Sequence, residues 1–93
     1  MEKAQRLVRD EKWYEAIFAY QEIINKAHGE LEPKVHLAKV YQMAGQFRLA
    51  LGEYQKNLNF KNEGGPNRIF ILESERIAQE LKKSLLGKME KGV

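Results

Sequence analysis

The stretch "YEAIFAYQEI" (Tyr14 to Ile23) is written a second time, 34 residues later, as "RLALGEYQKN" (Arg48 to Asn57). Ala16 matches Ala50, Tyr20 matches Tyr54, Gln21 matches Gln55, and Ile17 has Leu51 as its counterpart. The register holds outside these strings: Ala4 and Ala38, Leu7 and Tyr41, Trp13 and Phe47, and Ile24 and Leu58 are also 34 apart. In a chain of 93 residues, a repeat of that length takes up most of the sequence. The fold is therefore a small unit built at least twice.

The unit is helical. Trp13, Ala16, Ile17, Tyr20, Ile24 and Ala27 recur at spacings of three and four, which marks one apolar face of a helix. Gly29-Glu30 stops that helix, and Pro33 stands where a first helical turn tolerates proline. A second helix runs from about Leu31 to Ala44 and is broken by Gly45. "QFRLALGEYQKNL" then repeats the first pattern through Phe47, Ala50, Leu51, Tyr54 and Leu58. A loop, "NFKNEGGPN", separates it from a last helix, opened by Asn67 or Pro66 and running from about Pro66 to Leu86, with Gly87 as its stop and "KMEKGV" as a frayed tail. Phe70, Ile77, Leu81 and Leu85 form the stripe of that helix, with Ala78 beside it. "RIFIL" has strand-like composition, but its helical continuation argues against a strand. The expected fold is all-α.

The period of 34 with two helices per unit resembles the tetratricopeptide repeat. The resemblance covers about Met1 to Phe60 and includes the Gly-aromatic-x-x-Ala string "GQFRLA". Small Ala4, Ala38, Ala16 and Ala50 stand where helices cross closely, and large Trp13, Phe47, Tyr20 and Tyr54 fill the space between hairpins. Gly45 permits the tight turn in the second unit, whereas Glu11 stands there in the first. The family's early aromatic is replaced by Lys34, and its late small residue by Ile23 and Asn57. A buried Asn57 would need a hydrogen-bond partner, since an unpaired buried amide costs about 1–3 kcal/mol. The resemblance implies an antiparallel helix-turn-helix stack, an α-solenoid, forming one domain over 1–93. Repeat one covers about 1–29 and repeat two about 30–61, with a C-terminal capping helix over about 66–87. That last helix is expected to close the stack over Phe47, Tyr54 and Leu58. The other end leaves Trp13, Tyr14 and Phe18 short of neighbours, so it either continues a longer array or meets a partner.

No catalytic constellation is legible. His28 and His36 share no helix face, and Glu73 and Glu75 point to different sides of one helix. "EGGPN" lacks the Lys-Ser/Thr of a phosphate cradle, and Ser74 has no His or Asp at motif spacing. Without cysteine there is neither a disulfide framework nor a thiolate metal site. The expectation is no enzyme, no cofactor and no metal. At 43% hydrophobic and 31% charged, the chain is globular rather than disordered. "MEKAQRLVRD" lacks the apolar core of a signal peptide, and no stretch approaches the roughly 20 apolar residues of a membrane span. The expected location is cytoplasmic. Net charge is only +3, with 16 basic and 13 acidic residues interspersed, so Lys82 to Lys91 is a solvated face and nucleic acid an unfavoured partner.

What the resemblance implies for function is a scaffold whose first helices line a concave groove for a peptide or partner helix. By register the groove takes Glu2, Gln5 and Arg9 from the first helix and Val35, His36, Lys39, Gln42 and Met43 from the third. Arg68, Leu72 and Arg76 join from the last. Arg9 and Lys39 give this surface a positive bias, and Val35 and Met43 an apolar centre. Gln5 and Lys39 stand where the subtype that clamps chaperone-tail carboxylates has Asn, so that ligand is not expected. The alternative is structural homo-oligomerisation, a homodimer pairing through Trp13, Tyr14 and Phe18.

Overall fold

The computed structural model describes residues 2–27, 29–59 and 67–91. They form five α-helices: α1 Glu2–Arg9, α2 Trp13–Lys26, α3 Glu32–Met43, α4 Phe47–Leu58 and α5 Arg68–Lys91. There is no strand among the described residues. Each helix packs on the one before it and the one after it, and α3 also touches α5. The short dimension of the molecule is 17 Å. Packed helices lie about 8–10 Å apart, so this thickness holds two layers of helices.

The sequence repeat reappears as a repeated turn. After α1, the Glu11 amide donates to the Val8 carbonyl (3.0 Å) and the Lys12 amide to the Leu7 carbonyl (2.9 Å). After α3, the Gly45 amide donates to Gln42 (3.1 Å) and the Gln46 amide to Tyr41 (2.9 Å). Both are Schellman closures, in which paired back-reaching amides satisfy the last carbonyls of a helix. The residue that reverses the chain needs a left-handed backbone, and Gly45 has φ 81° and Glu11 φ 58°. Lys12 and Gln46 then adopt nearly the same conformation, φ −90° ψ 72° and φ −89° ψ 65°. Their carbonyls accept from Ala16 (3.0 Å) and Ala50 (2.9 Å), which starts the next helix at once.

Three of the paired positions are buried in both units: Ala4 and Ala38, Ala16 and Ala50, Tyr20 and Tyr54. One core cluster gathers Ala4, Ala16, Tyr20, Leu37 and Val40, with Trp13, Ile17 and Ile24 against it. The other joins Leu31, Val35, Ala38, Ala50 and Tyr54 to Ile77, Ala78 and Leu81 of α5. Tyr41 packs against both and links them. Among the described residues Asn57 and Ser74 are the buried polar side chains, and the Asn57 amide donates to Ser74 Oγ at 3.3 Å between α4 and α5.

α5 departs from expectation in two ways. It buries Tyr54, but Phe47 and Leu58 remain at the surface, because its contact with α4 is centred on Ser74, Ile77, Ala78 and Leu81. It also runs through Gly87 to Lys91 rather than stopping. A single glycine costs a helix only about 1 kcal/mol relative to alanine, which a 24-residue helix tolerates. Most of the "NFKNEGGPN" loop, with Pro66 as a helix start, lies outside the described residues, as do His28 and the last two residues.

Candidate functional site

α1 and α3 bring some of the residues expected in the groove onto one surface and leave others elsewhere. On α3, His36, Lys39 and Met43 follow at spacings of three and four, so they share one side of the helix. A shallow groove of about 140 Å³ brings them together with Gln5 and Val8 of α1, Tyr20 of α2 and Val40. His36 stacks on Tyr20, with ring centroids 5.6 Å apart and planes 13° from parallel. The offset spacing is that of favourable aromatic pairs, and it holds the imidazole against the groove wall. His36 Nε2 lies 3.6 Å from Glu32 Oε1 one turn earlier. Burial pushes the Tyr20 phenol up from its ordinary pKa, and the nearby Glu32 carboxylate adds to the shift. Tyr20 therefore lines the groove as a neutral ring.

Lys39 carries the groove's charge, and that charge is already paired. Its Nζ lies 2.6 Å from Glu73 Oε1 on α5. Gln5, Lys39 and Glu73 are successive residues 34 apart, one on each of α1, α3 and α5. Gln5 and Lys39 line the same groove and Lys39 reaches Glu73, which links the three helices at this register position. The positive bias expected from Lys39 is thus offset, and Arg9 is left as an exposed cation at the end of α1. Arg9 lines a neighbouring depression with Glu2, Gln5 and Arg6, which Gln5 shares with the central groove.

Other expected residues sit elsewhere. Val35 is fully buried in the core against α4 and α5, so it cannot be the apolar centre of a surface. Met43, half exposed, takes that part with Val8 and Val40 beside it. Gln42 lies on another side of α3, where its Oε1 accepts from the Tyr54 hydroxyl at 3.1 Å and it borders a hollow with Phe47, Leu81 and Leu85. Arg68 and Leu72 are exposed on α5 but do not line the α1–α3 groove. Arg76, also exposed, bonds Glu80 Oε1 at 3.2 Å on its own helix. Among the aromatic residues of the first unit, Trp13 packs against the core, while Tyr14 and Phe18 are 80% and 63% exposed. Val8, Val40, Tyr20 and Glu73 are the participants missed from sequence. The 34-residue spacing of Lys39 and Glu73 was the signal for Glu73, and none marked the other three as groove residues.

Among the described residues no three His, Cys, Asp or Glu side chains are grouped to hold a metal, and no helix is long and apolar enough to cross a membrane. No protein-family model matches the chain, and neither does any curated protein or solved structure.

Proposed function

We propose that this chain is a non-catalytic protein-binding module of the tetratricopeptide kind, an adaptor that takes a peptide or partner helix in the α1–α3 groove. A cytoplasmic location belongs to the same proposal. One observation carries it: Gln5, His36, Lys39 and Met43, picked out by register on two successive units, share a groove with apolar Val8 and Val40. Support for the kinship comes from the turn geometry, in which the same pair of amide bonds and a left-handed residue recur at a spacing of 34.

The residue types suit recognition rather than reaction. Met43 offers a flexible, polarisable contact, and methionine is favoured on surfaces that adapt to their ligands. Gln5 provides both a donor and an acceptor, and a ligand carboxylate could compete with Glu73 for Lys39. The test is selection from a displayed random-peptide library against the wild-type chain, followed by affinity measurement on variants. Met43→Glu puts an uncompensated charge at the groove centre and is expected to weaken selected peptides about tenfold, which corresponds to 1.4 kcal/mol. Selected peptides that bind the Met43→Glu and Gln5→Lys variants as tightly as wild type would place the binding surface elsewhere.

A further inference from the structure

A second groove, of about 610 Å³, opens between α1 and α2, floored by Ala4, Leu7 and Ile23 and walled by Tyr14 and Phe18. The two aromatic residues are not there to build the helix. Their counterparts 34 residues on are Arg48 and Gly52, and α4 buries Ala50 and Tyr54 just as α2 buries Ala16 and Tyr20. The fold therefore forms this element with an arginine and a glycine in those places. Two exposed aromatics side by side on an open groove are a contact surface in want of a cover.

The pattern along α2 identifies the cover. Tyr14, Phe18 and Glu22 follow at intervals of four and make one ridge along the helix. A two-fold axis beside Phe18 sets position 18 − 4 against position 18 + 4. It brings the Tyr14 hydroxyl of each copy to the Glu22 carboxylate of the other, where the phenol donates and the carboxylate accepts. α1 folds back along α2 after a short turn, so Lys3 stands at the Glu22 end of the groove and Glu15 at the Tyr14 end. The same axis sets Lys3 of one copy against Glu15 of the other. Lys3 and Glu15 thus meet as opposite charges and Glu22 meets a hydroxyl donor, all within the patch itself.

We infer that a second copy of this chain covers the α1–α2 groove, in a closed two-fold dimer with the two Phe18 rings beside the axis. An isologous contact of this kind uses one patch twice and stops at two copies. Gln5, His36, Lys39 and Met43 are not part of the patch, so the dimer carries two α1–α3 grooves and would bind a two-site partner with avidity. The inference does not depend on the peptide-binding proposal, since one is read from mass and the other from peptide affinity.

The experiment is sedimentation equilibrium of the whole chain from micromolar to millimolar concentration. The mass should climb from 10.9 kDa toward twice that value. Phe18→Ser, an exposed position whose variant should keep the wild-type circular dichroism, should hold it at the lower value. Lys3→Glu and Glu15→Lys should each weaken self-association about tenfold, the equivalent of 1.4 kcal/mol. Mixing the two variants should restore it, because the mixed dimer has opposite charges in both pairs. A wild-type chain that stays monomeric overturns the inference and leaves the groove to a foreign partner. A dimer indifferent to Phe18→Ser overturns it too, as does a mass above two copies or a failure of the mixture to associate.

Discussion

Glu11 and Gly45 hold the same place in the turns after α1 and α3, and only glycine is suited to it. Both have positive φ, at 58° and 81°. A side chain in the left-handed region costs roughly 1–2 kcal/mol, against which glycine loses about 0.4–1 kcal/mol more through the unfolded chain. Strain outweighs entropy, so the two sites respond with opposite sign. Glu11→Gly should raise the unfolding free energy by about 0.5–1 kcal/mol, and Gly45→Glu should lower it by a similar amount. A Cβ at Gly45 would meet nothing within 4 Å, so the loss is conformational and not steric. Urea titration of the two variants and of the double exchange checks this, and the exchange should come out near neutral. Tyr20 and Tyr54 form another pair, and here the units agree. Burial raises both phenol pKa values, with Glu32 adding to the first and Glu73 to the second, while Arg76 acts the other way on Tyr54. A folded-state pKa above the unfolded value means that the native state holds its proton longer. The resulting stability is fully present below the unfolded pKa of about 10 and is lost as pH rises beyond it. Thermal unfolding should therefore be insensitive to these two groups up to about pH 9.5 and should fall steeply above pH 10. Tyr54→Phe should flatten the alkaline limb, while costing about 1 kcal/mol at neutral pH for the lost bond to Gln42.

Between elements, Asn67 does the most with one side chain. Its Oδ1 accepts from the Leu31 amide at 3.1 Å and its Nδ2 donates to the Gly29 carbonyl at 3.0 Å. An amide can only donate and a carbonyl only accept, so the two partners also settle which way the side-chain amide faces. Its own carbonyl accepts the Ile71 amide at 3.0 Å, so this residue starts α5 and ties that start to the turn between α2 and α3. Asn67→Ala removes both cross-links beside a fully buried Leu31 and is expected to cost about 1–3 kcal/mol. Asn67→Asp keeps the acceptor and loses the donor, so it should fall between wild type and alanine. Hydrogen exchange at Leu31 reads the same event locally, with strong acceleration in Asn67→Ala and little in Asn67→Asp. This clamp was not legible in the sequence, where Asn67 reads only as a helix opener after glycine and proline. The faces of α2 and α4 were legible, because each turns one stripe to the core. α3 was harder: Leu31, Pro33, Val35, Leu37, Ala38 and Val40 are all buried, since it has α2 on one side and α4 with α5 on the other. A helix covered on two sides has no single apolar stripe. Register alone therefore could not tell that Val35 faces the core or that Gln42 looks away from the groove.

At the scale of the molecule, contacts run between neighbours in chain order, and so does stability. α3 draws on both core clusters and α4 on one, and each has packed helices on either side. α1 packs principally on α2 and buries only Ala4 completely. In a stack held together by nearest-neighbour contacts, each end opens at a free energy set by its single interface. The ends differ here, because α5 contributes Ile77, Ala78 and Leu81 and the bond from Asn57 to Ser74, whereas α1 contributes one alanine and the partly buried Leu7 and Val8. α1 is therefore the weakest element. Native-state hydrogen exchange should show its amides opening several kcal/mol below the global unfolding free energy, with those of α3 and α4 exchanging only through global unfolding. Exchange of all five helices in a single transition would contradict this order and show one cooperative unit. The same weakness bears on recognition. Gln5 and Val8 belong to α1, so a ligand in the α1–α3 groove must draw on the element that opens most easily. A bound peptide should slow exchange in α1 more than in α3, although both helices line the groove. Equal protection of the two helices would mean that α1 is already held in the free chain, and the second copy proposed at the α1–α2 groove would then be its natural support. Repeating the exchange on Phe18→Ser separates the cases: if dimerisation holds α1, its protection collapses in that variant while that of α3 stays.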